Sequence, residues 1–411
     1  QCDDAVDEIR MMAVLHAVLT AQMVIVSGQS LSAGGVTGSA LSTTQPYSNT
    51  MVSGLTYDSG GTGTTPYLVY TPTISAFPWT ALIEGSSIES PRSAMANYYT
   101  SLTGTNIHVV TGSRGGSPYT ALRKGTVAWE HMARSIEAAG ARSRLSCTAI
   151  YIEHGETDGY SSGGTSRVQY TANLVEWQSD ISAKCAASAW GGDPPLYIGQ
   201  YSSWTAPILN SLPTSEIPLA IYDAARANFG RIIIVDPHYM DAYGGDGVHK
   251  TAAGSRTMGA RGGRAIATGR AYQPLWPRMD NPVTRSGAVI TVYLYTPTPP
   301  LVVDTTNITG VSTSTRGFEY TCGSSPPAIS SVDCSAACSG NICSCVITLA
   351  STPGAPCLTD DKIGYAVTGV AGNFGGPTSG PRGNIRDSTA DTWAGATLYH
   401  PLVHFQEVVP N

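Results

Sequence analysis

Ser30 ends the stretch Met23-Val24-Ile25-Val26-Ser27-Gly28-Gln29-Ser30, in which a short apolar, β-branched run stops abruptly at Ser-Gly-Gln-Ser. More than two hundred residues later, Gly245-Asp246-Gly247-Val248-His249 sets an aspartate and a histidine three positions apart, just ahead of a helical pattern. A serine hydroxyl is a weak nucleophile until an imidazole takes its proton, and the imidazole needs a carboxylate to fix its tautomer and stabilise its charge. Ser30, Asp246 and His249 are therefore the residue types of a nucleophile, an orienting acid and a general base, in that chain order. Read singly, each end has a plainer explanation, since serine is a preferred helix N-cap and His249 is otherwise a loop residue before a helix. Their combination points to acyl transfer.

Elements that position such groups are legible around them. The run ending at Gly28 reads as a strand buried on both faces, and groups at the carboxyl end of a parallel strand line the ligand crevice of an open α/β sheet. A Ser90-Pro91 cap precedes a helix over 94–102, and a strand over 107–110 ends in the glycine-rich turn Thr111-Gly112-Ser113-Arg114-Gly115-Gly116-Ser117. That turn lacks the G-x-G-x-x-G spacing and the G-K-[ST] ending of phosphate loops, so Gly115 and Gly116 read as backbone brought close to a substrate oxygen. The pattern predicts a helix over 119–139, a strand over 148–152, the loop His154-Gly155-Glu156-Thr157-Asp158 and a helix over 166–187. Further strands are predicted over 196–199 and 231–235, with helices over 217–229 and 252–271. This alternation implies a parallel sheet with helices on both faces. His238, in Asp236-Pro237-His238-Tyr239, also follows a strand, but it has no carboxylate three residues before it and reads as structural or as part of a rim.

Flanking segments are less informative. Apolar residues between 3 and 20 recur with helical spacing behind Asp3, Asp4, Asp7 and Glu8, predicting a leading helix or the end of an upstream linker. From Leu31 to about Gly85 the chain is rich in Gly, Ser and Thr. Its aromatics Tyr47, Tyr57, Tyr67, Tyr70, Phe77 and Trp79 either pin loops down or form a sugar-binding rim. Past Pro277 the texture changes to strand-like runs over 288–295, 301–303 and 346–349, separated by Pro, Gly and Thr. We expect an α/β domain over residues 1–276 and an all-β domain, a sandwich or jelly roll, over 277–411, with the boundary near 272–285.

Composition bounds the rest. The 411 residues are more than one ordinary core holds, and they carry a net charge of −6 with only 23 Lys plus Arg, so no basic patch grips a phosphate backbone and nucleic acid is not an expected partner. No apolar run is long enough to span a membrane. Six of the nine cysteines, Cys322, Cys334, Cys338, Cys343, Cys345 and Cys357, crowd into 36 residues, while Cys2, Cys147 and Cys185 stand apart. Disulfides are the expected use, and hence a place outside the reducing cytosol, on a cell or virion surface or secreted. Zinc is the rival, but the cluster holds no histidine and lacks zinc-ribbon spacing. The odd total leaves at least one thiol unpaired within the chain. The first residue is Gln1, so a mature or excised form is expected.

Four blocks in order resemble those of the SGNH (GDSL-type) hydrolases, and within them the carbohydrate acetylesterases of the sialate O-acetylesterase type: Gly28-Gln29-Ser30-Leu31-Ser32, Gly115-Gly116-Ser117, His154-Gly155-Glu156-Thr157-Asp158 and Asp246-Gly247-Val248-His249. The resemblance covers roughly residues 20–270. It implies a three-layer α/β/α fold, Ser30 as nucleophile, His249 as general base and Asp246 as its partner, no cofactor or metal, and an acetylated polysaccharide as substrate. It further implies an oxyanion hole from the backbone N–H groups of Ser30 and Gly116 and a side chain of the third block. Gln29 replaces the aspartate of the GDSL spelling, as is usual in the acetylesterase branch. The third block has no asparagine, and His154 occupies the donor position of the branch's Gln-Gly-Glu spelling, so we expect its ring to serve as the donor. Glu156 and Asp158, with Gln29 and Gly115, are expected to brace the loops. A hydrolase fold that has lost catalysis and binds carbohydrate is the competing reading. Gly380-Pro381-Arg382-Gly383-Asn384-Ile385-Arg386-Asp387 faintly resembles the tail of accessory β domains attached to such hydrolases.

Overall fold

β1 (Gln22–Gly28) lies at the middle of a seven-stranded sheet of order β3-β2-β4-β1-β5-β6-β7. The others are β2 (Thr50–Val52), β3 (Trp79–Ala81), β4 (Ile107–Thr111), β5 (Ser146–Glu153), β6 (Leu196–Gln200) and β7 (Ile232–Pro237). All neighbours pair in parallel except the edge strand β3, which runs antiparallel to β2. The computed structural model describes residues 22–410 apart from 35, 53–78, 86–87, 144, 161–163, 189–191, 355–356 and 358–360. The expected leading helix over 3–20, Cys2 and the aromatics Tyr57, Tyr67, Tyr70 and Phe77 lie outside the described residues.

The double burial of β1 follows from its sequence. Met23 and Ile25 join one apolar cluster, Val24 and Val26 the other, and all four are fully buried. Each such side chain contributes about 1.5–3 kcal/mol relative to exposure. Helices α2 (Pro91–Thr103) and α7 (Ala252–Thr268) cover one face, while α3 (Val127–Ser143), α5 (Arg167–Ser188) and α6 (Ile217–Ala227) cover the other. Two short helices complete the set at the sheet's carboxyl end, α1 (Ser30–Ala33) and α4 (Glu156–Tyr160). Ser90 caps α2 as read from the sequence, its hydroxyl accepting from the Arg92 N–H, with Pro91 at the first helical position. The helix expected over 119–139 is instead a single 3₁₀ turn, Tyr119–Ala121, followed by α3. Gly125 between them adopts φ +85°, which breaks the run. The strands β2 and β3 were not expected, because three residues are too few to carry an alternation.

Past Ala271 the described residues form no α-helix. A five-stranded sheet joins Trp276–Pro277, Val283–Ser286, Val289–Tyr295, Ile329–Asp333 and Ile342–Leu349, and a three-stranded one joins Phe318–Thr321, Lys362–Tyr365 and Phe405–Val408, all antiparallel. This all-β part shares apolar core with the α/β part, where Tyr222 of α6 meets Trp276 and Phe405. A reciprocal amide bond, from Gln200 Nε2 to the His404 carbonyl and from the His404 N–H to Gln200 Oε1, ties the end of β6 to it. Disulfides join Cys322 to Cys357, Cys334 to Cys345 and Cys338 to Cys343, so these sulfurs are not free as thiolate ligands for zinc. A fourth, Cys147 to Cys185, staples β5 to α5. Four disulfides mark a protein matured in an oxidising environment. No helix among the described residues is long and apolar enough to cross a membrane.

Candidate active site

The chain can reverse at the end of β1 only because Gly28 adopts φ +128°, with the Glu153 carbonyl where a Cβ would stand. Next to it, the Gln29 N–H donates to that carbonyl at 3.1 Å. Ser32 Oγ donates to the Ser27 carbonyl at 2.5 Å and accepts from the Glu153 N–H at 2.9 Å, so the turn is bolted to β5. Ser30 is thereby held as the first residue of α1, and the N-cap position belongs to Gln29, whose side chain makes no capping bond. Helix capping does not account for Ser30.

Its hydroxyl instead meets His249. Ser30 Oγ lies 2.8 Å from His249 Nε2, and His249 Nδ1 lies 2.6 Å from Asp246 Oδ2. The other carboxylate oxygen of Asp246 accepts the backbone N–H groups of Val248 and His249, each at 2.9 Å. Burial alone would raise the Asp246 pKa, but these bonds outweigh it and hold the carboxyl down at about 2. The hydrogen bond that His249 donates to Asp246 in turn raises the proton affinity of His249 against the opposing effect of its burial. An ionised Asp246 accepts the Nδ1 proton, which leaves Nε2 as the acceptor facing Ser30. Asp246 and His249 remain about a third exposed, so the pair opens to solvent.

Hydrogen bonds also bring the other two blocks to this point. The Arg114 N–H, just before Gly115, donates to the Gly28 carbonyl at 2.9 Å, and the Thr157 N–H donates to Gln29 Oε1 at 3.2 Å. Gly116 sits on an exposed turn at φ +61°. Asp158 accepts from the Tyr119 N–H at 2.8 Å and from Thr165 Oγ1 at 2.7 Å. Glu156 is fully buried, neither carboxyl oxygen has a hydrogen-bond partner among the described residues, and burial raises its pKa.

His154 departs from the expectation. Its ring is buried, with Nδ1 2.7 Å from the Tyr170 hydroxyl and Nε2 3.0 Å from the Ser117 carbonyl, and it lies edge-on to Trp177. A carbonyl can only accept, so Nε2–H donates to Ser117, and Nδ1 is taken up by the Tyr170 hydroxyl. No ring proton is left for an oxyanion, and His154 joins the second and third blocks instead. His238 is likewise structural and not part of a rim. It is buried beside Glu153, with Nε2 3.0 Å from Oε2, and this carboxylate raises its pKa although burial opposes the change.

Sequence reading also missed a buried charged cluster behind His249. Arg261 on α7 reaches both Asp236 Oδ2, at 2.8 Å, and Asp241 Oδ1, at 2.7 Å, and Lys250 stands on the far side of Asp241. The one available signal was the density of ionisable residues between 236 and 261 in a chain with few charges.

No protein-family model matches the sequence, and no curated protein matches it. Solved structures do. A carbohydrate acetylesterase from Xanthomonas citri superposes with a TM-score of 0.60 over 94% of this chain and 80% of its own, at 12% identity. A protein from Arabidopsis thaliana (TM-score 0.46, 14% identity) and NanS (0.45, 14%) each cover 61% of this chain and 98% and 97% of their own. Identity this low speaks for the fold alone. In fold, this chain is a three-layer α/β/α sheet followed by an all-β part, an architecture it shares with the Xanthomonas citri structure.

Proposed function

We propose that the protein is a serine esterase that removes O-acetyl groups from a polysaccharide or glycan. The observation that carries this reading is the continuous Ser30–His249–Asp246 hydrogen-bond chain at the mouth of the sheet. Ser30 Oγ attacks the acetyl carbonyl as its proton passes to His249 Nε2. The tetrahedral intermediate collapses, the sugar alkoxide leaves with that proton, and an acetyl-serine remains. A water then surrenders a proton to His249 and attacks the acetyl-serine; on collapse His249 returns that proton to Ser30 Oγ and acetic acid leaves, ionising to acetate. Asp246 holds the imidazole in the right tautomer and stabilises its charge. For the oxyanion we assign the backbone N–H groups of Ser30 and Gly116, with no contribution from His154. We read residues 277–411 as an accessory domain, and the disulfides as those of a secreted, cell-surface or virion-associated protein.

Ser30→Ala tests the assignment: acetate release from an activated acetyl ester and from acetylated glycans should fall at least about a thousandfold with the fold intact. Undiminished hydrolysis would overturn it. The engagement of both His154 ring nitrogens favours a second reading, a catalytically weak or inactive carbohydrate-binding protein, for which wild type would bind acetylated glycans yet turn over acetyl esters slowly or not at all.

A further inference from the structure

Asp246 and His249 ride at the tip of an excursion from Ala242 to Thr251 whose arms pair with each other. The Thr251 N–H donates to the Ala242 carbonyl at 2.9 Å, Tyr243 is bridged to Lys250, and the Gly244 N–H donates to the His249 carbonyl at 2.7 Å. The second arm, Lys250–Thr251, also pairs in parallel with Val36–Thr37, yet pairings only two or three residues long resist bending poorly on their own, and a tip held by them alone would let His249 swing away from Ser30. Lys250, the residue after His249, turns inward from this ladder and is completely buried.

Its ammonium has three neighbours. Nζ lies 3.5 Å from the centre of the Tyr243 ring on the opposite arm, donates to the His238 carbonyl at 3.3 Å, and stands 3.5 Å from Asp241 Oδ2. Asp241 is fixed by Arg261, which also grips Asp236, so the lysine is anchored to α7 and to the end of β7. A lysine is almost never fully buried unless it is paired, and a cation over an aromatic face is attracted most strongly when water is excluded. Burial lowers the Lys250 pKa to about 8, with Asp241 chief among the carboxylates opposing the fall, so the ammonium keeps its charge near neutrality.

We propose that Lys250 is a positioning residue for the acyl-transfer site: by clamping the arm beside His249 to Asp241 and the Tyr243 ring, it holds His249 and Asp246 in register with Ser30. The proposal rests on the esterase reading of that triad. Lys250 acts through His249 and touches no substrate. Loss of the clamp displaces the base without altering the surface a substrate binds, so it acts on turnover more than on binding.

Lys250→Met keeps the length of the side chain and removes its charge. Its expected effect is a fall in kcat of about tenfold or more on an activated acetyl ester, with KM moving less than about twofold. The downfield proton resonance of His249 Nδ1–H bonded to Asp246 should broaden or disappear. Should Lys250→Met fail to fold, Tyr243→Leu, which removes the ring and spares the ion pair, should shift the same two readouts. A folded variant with wild-type kcat and an unchanged resonance overturns the proposal, as does a loss confined to KM. The resonance reports the His249–Asp246 pair whether or not the protein hydrolyses esters. An inactive wild type whose resonance still depends on Lys250 would therefore sink the esterase reading alone.

Discussion

Ser30 Oγ and His249 Nε2 stand 2.8 Å apart although 219 positions separate them in the chain. The contact is short because each residue is fixed by a different part of the sheet, Ser30 by the turn after β1 and His249 by the ladder after β7. Groups that act on one proton fail together, so Ser30→Ala, His249→Ala and the double variant should lose turnover to a similar extent, on the order of a thousandfold or more. Additive losses in single-turnover kinetics would show that the two residues work independently.

The pH profile carries the signature of Asp246. His249 is raised above its ordinary 6.5, so kcat/KM should climb through an apparent pKa above that value. Asp246→Asn removes the leading cause, moving this acid limb to lower pH while lowering the plateau on the order of a thousandfold or more. The same pair sets linked stability with opposite signs. The His249 contribution is complete below its unfolded pKa and is lost as pH rises through the folded one, whereas that of Asp246 is present above 3.8 and is lost as pH falls towards about 2. Urea midpoints across pH for wild type and Asp246→Asn would check both.

For His154 the expected outcome is structural. His154→Ala leaves the Tyr170 hydroxyl and the Ser117 carbonyl buried without their partner and opens a cavity beside Trp177, which should cost about 2–4 kcal/mol of stability. Equilibrium unfolding would register this. Unchanged stability with a collapse confined to kcat would restore the oxyanion role that the sequence suggested.

Gly247 sits between Asp246 and His249 at φ +73°, and the Phe374 ring of the all-β part occupies the space a Cβ would need. The Gly375 N–H also donates to the Gly247 carbonyl at 3.2 Å. Gly247→Ala should therefore strain the turn and push Phe374 away, lowering kcat by about a hundredfold through displacement of Asp246 and His249. Steady-state kinetics on a small acetyl ester measure it, and a wild-type rate would show that the all-β part does not support the loop.

How much the sequence disclosed depends on the range of the interaction concerned. The buried strand at Met23–Val26, the cap at Ser90-Pro91, the alternation of strands and helices and the change of texture past residue 277 are all local patterns, and a chain expresses such patterns within a few residues. Ser30, His249 and Asp246, which the structure joins by hydrogen bonds, could be singled out too, because the proposed chemistry demands particular residue types and Asp246 and His249 share one turn. What the tertiary structure alone decided was which partners the ring nitrogens of His154 take, how the cysteines pair, and how Lys250 is neutralised. These depend on side chains that meet from distant elements. Nothing in the string His154-Gly155-Glu156 says that Tyr170 and the Ser117 carbonyl will close on the ring before a substrate can. A buried polar group takes the partners that packing brings within about 3 Å, and packing is a property of the whole fold.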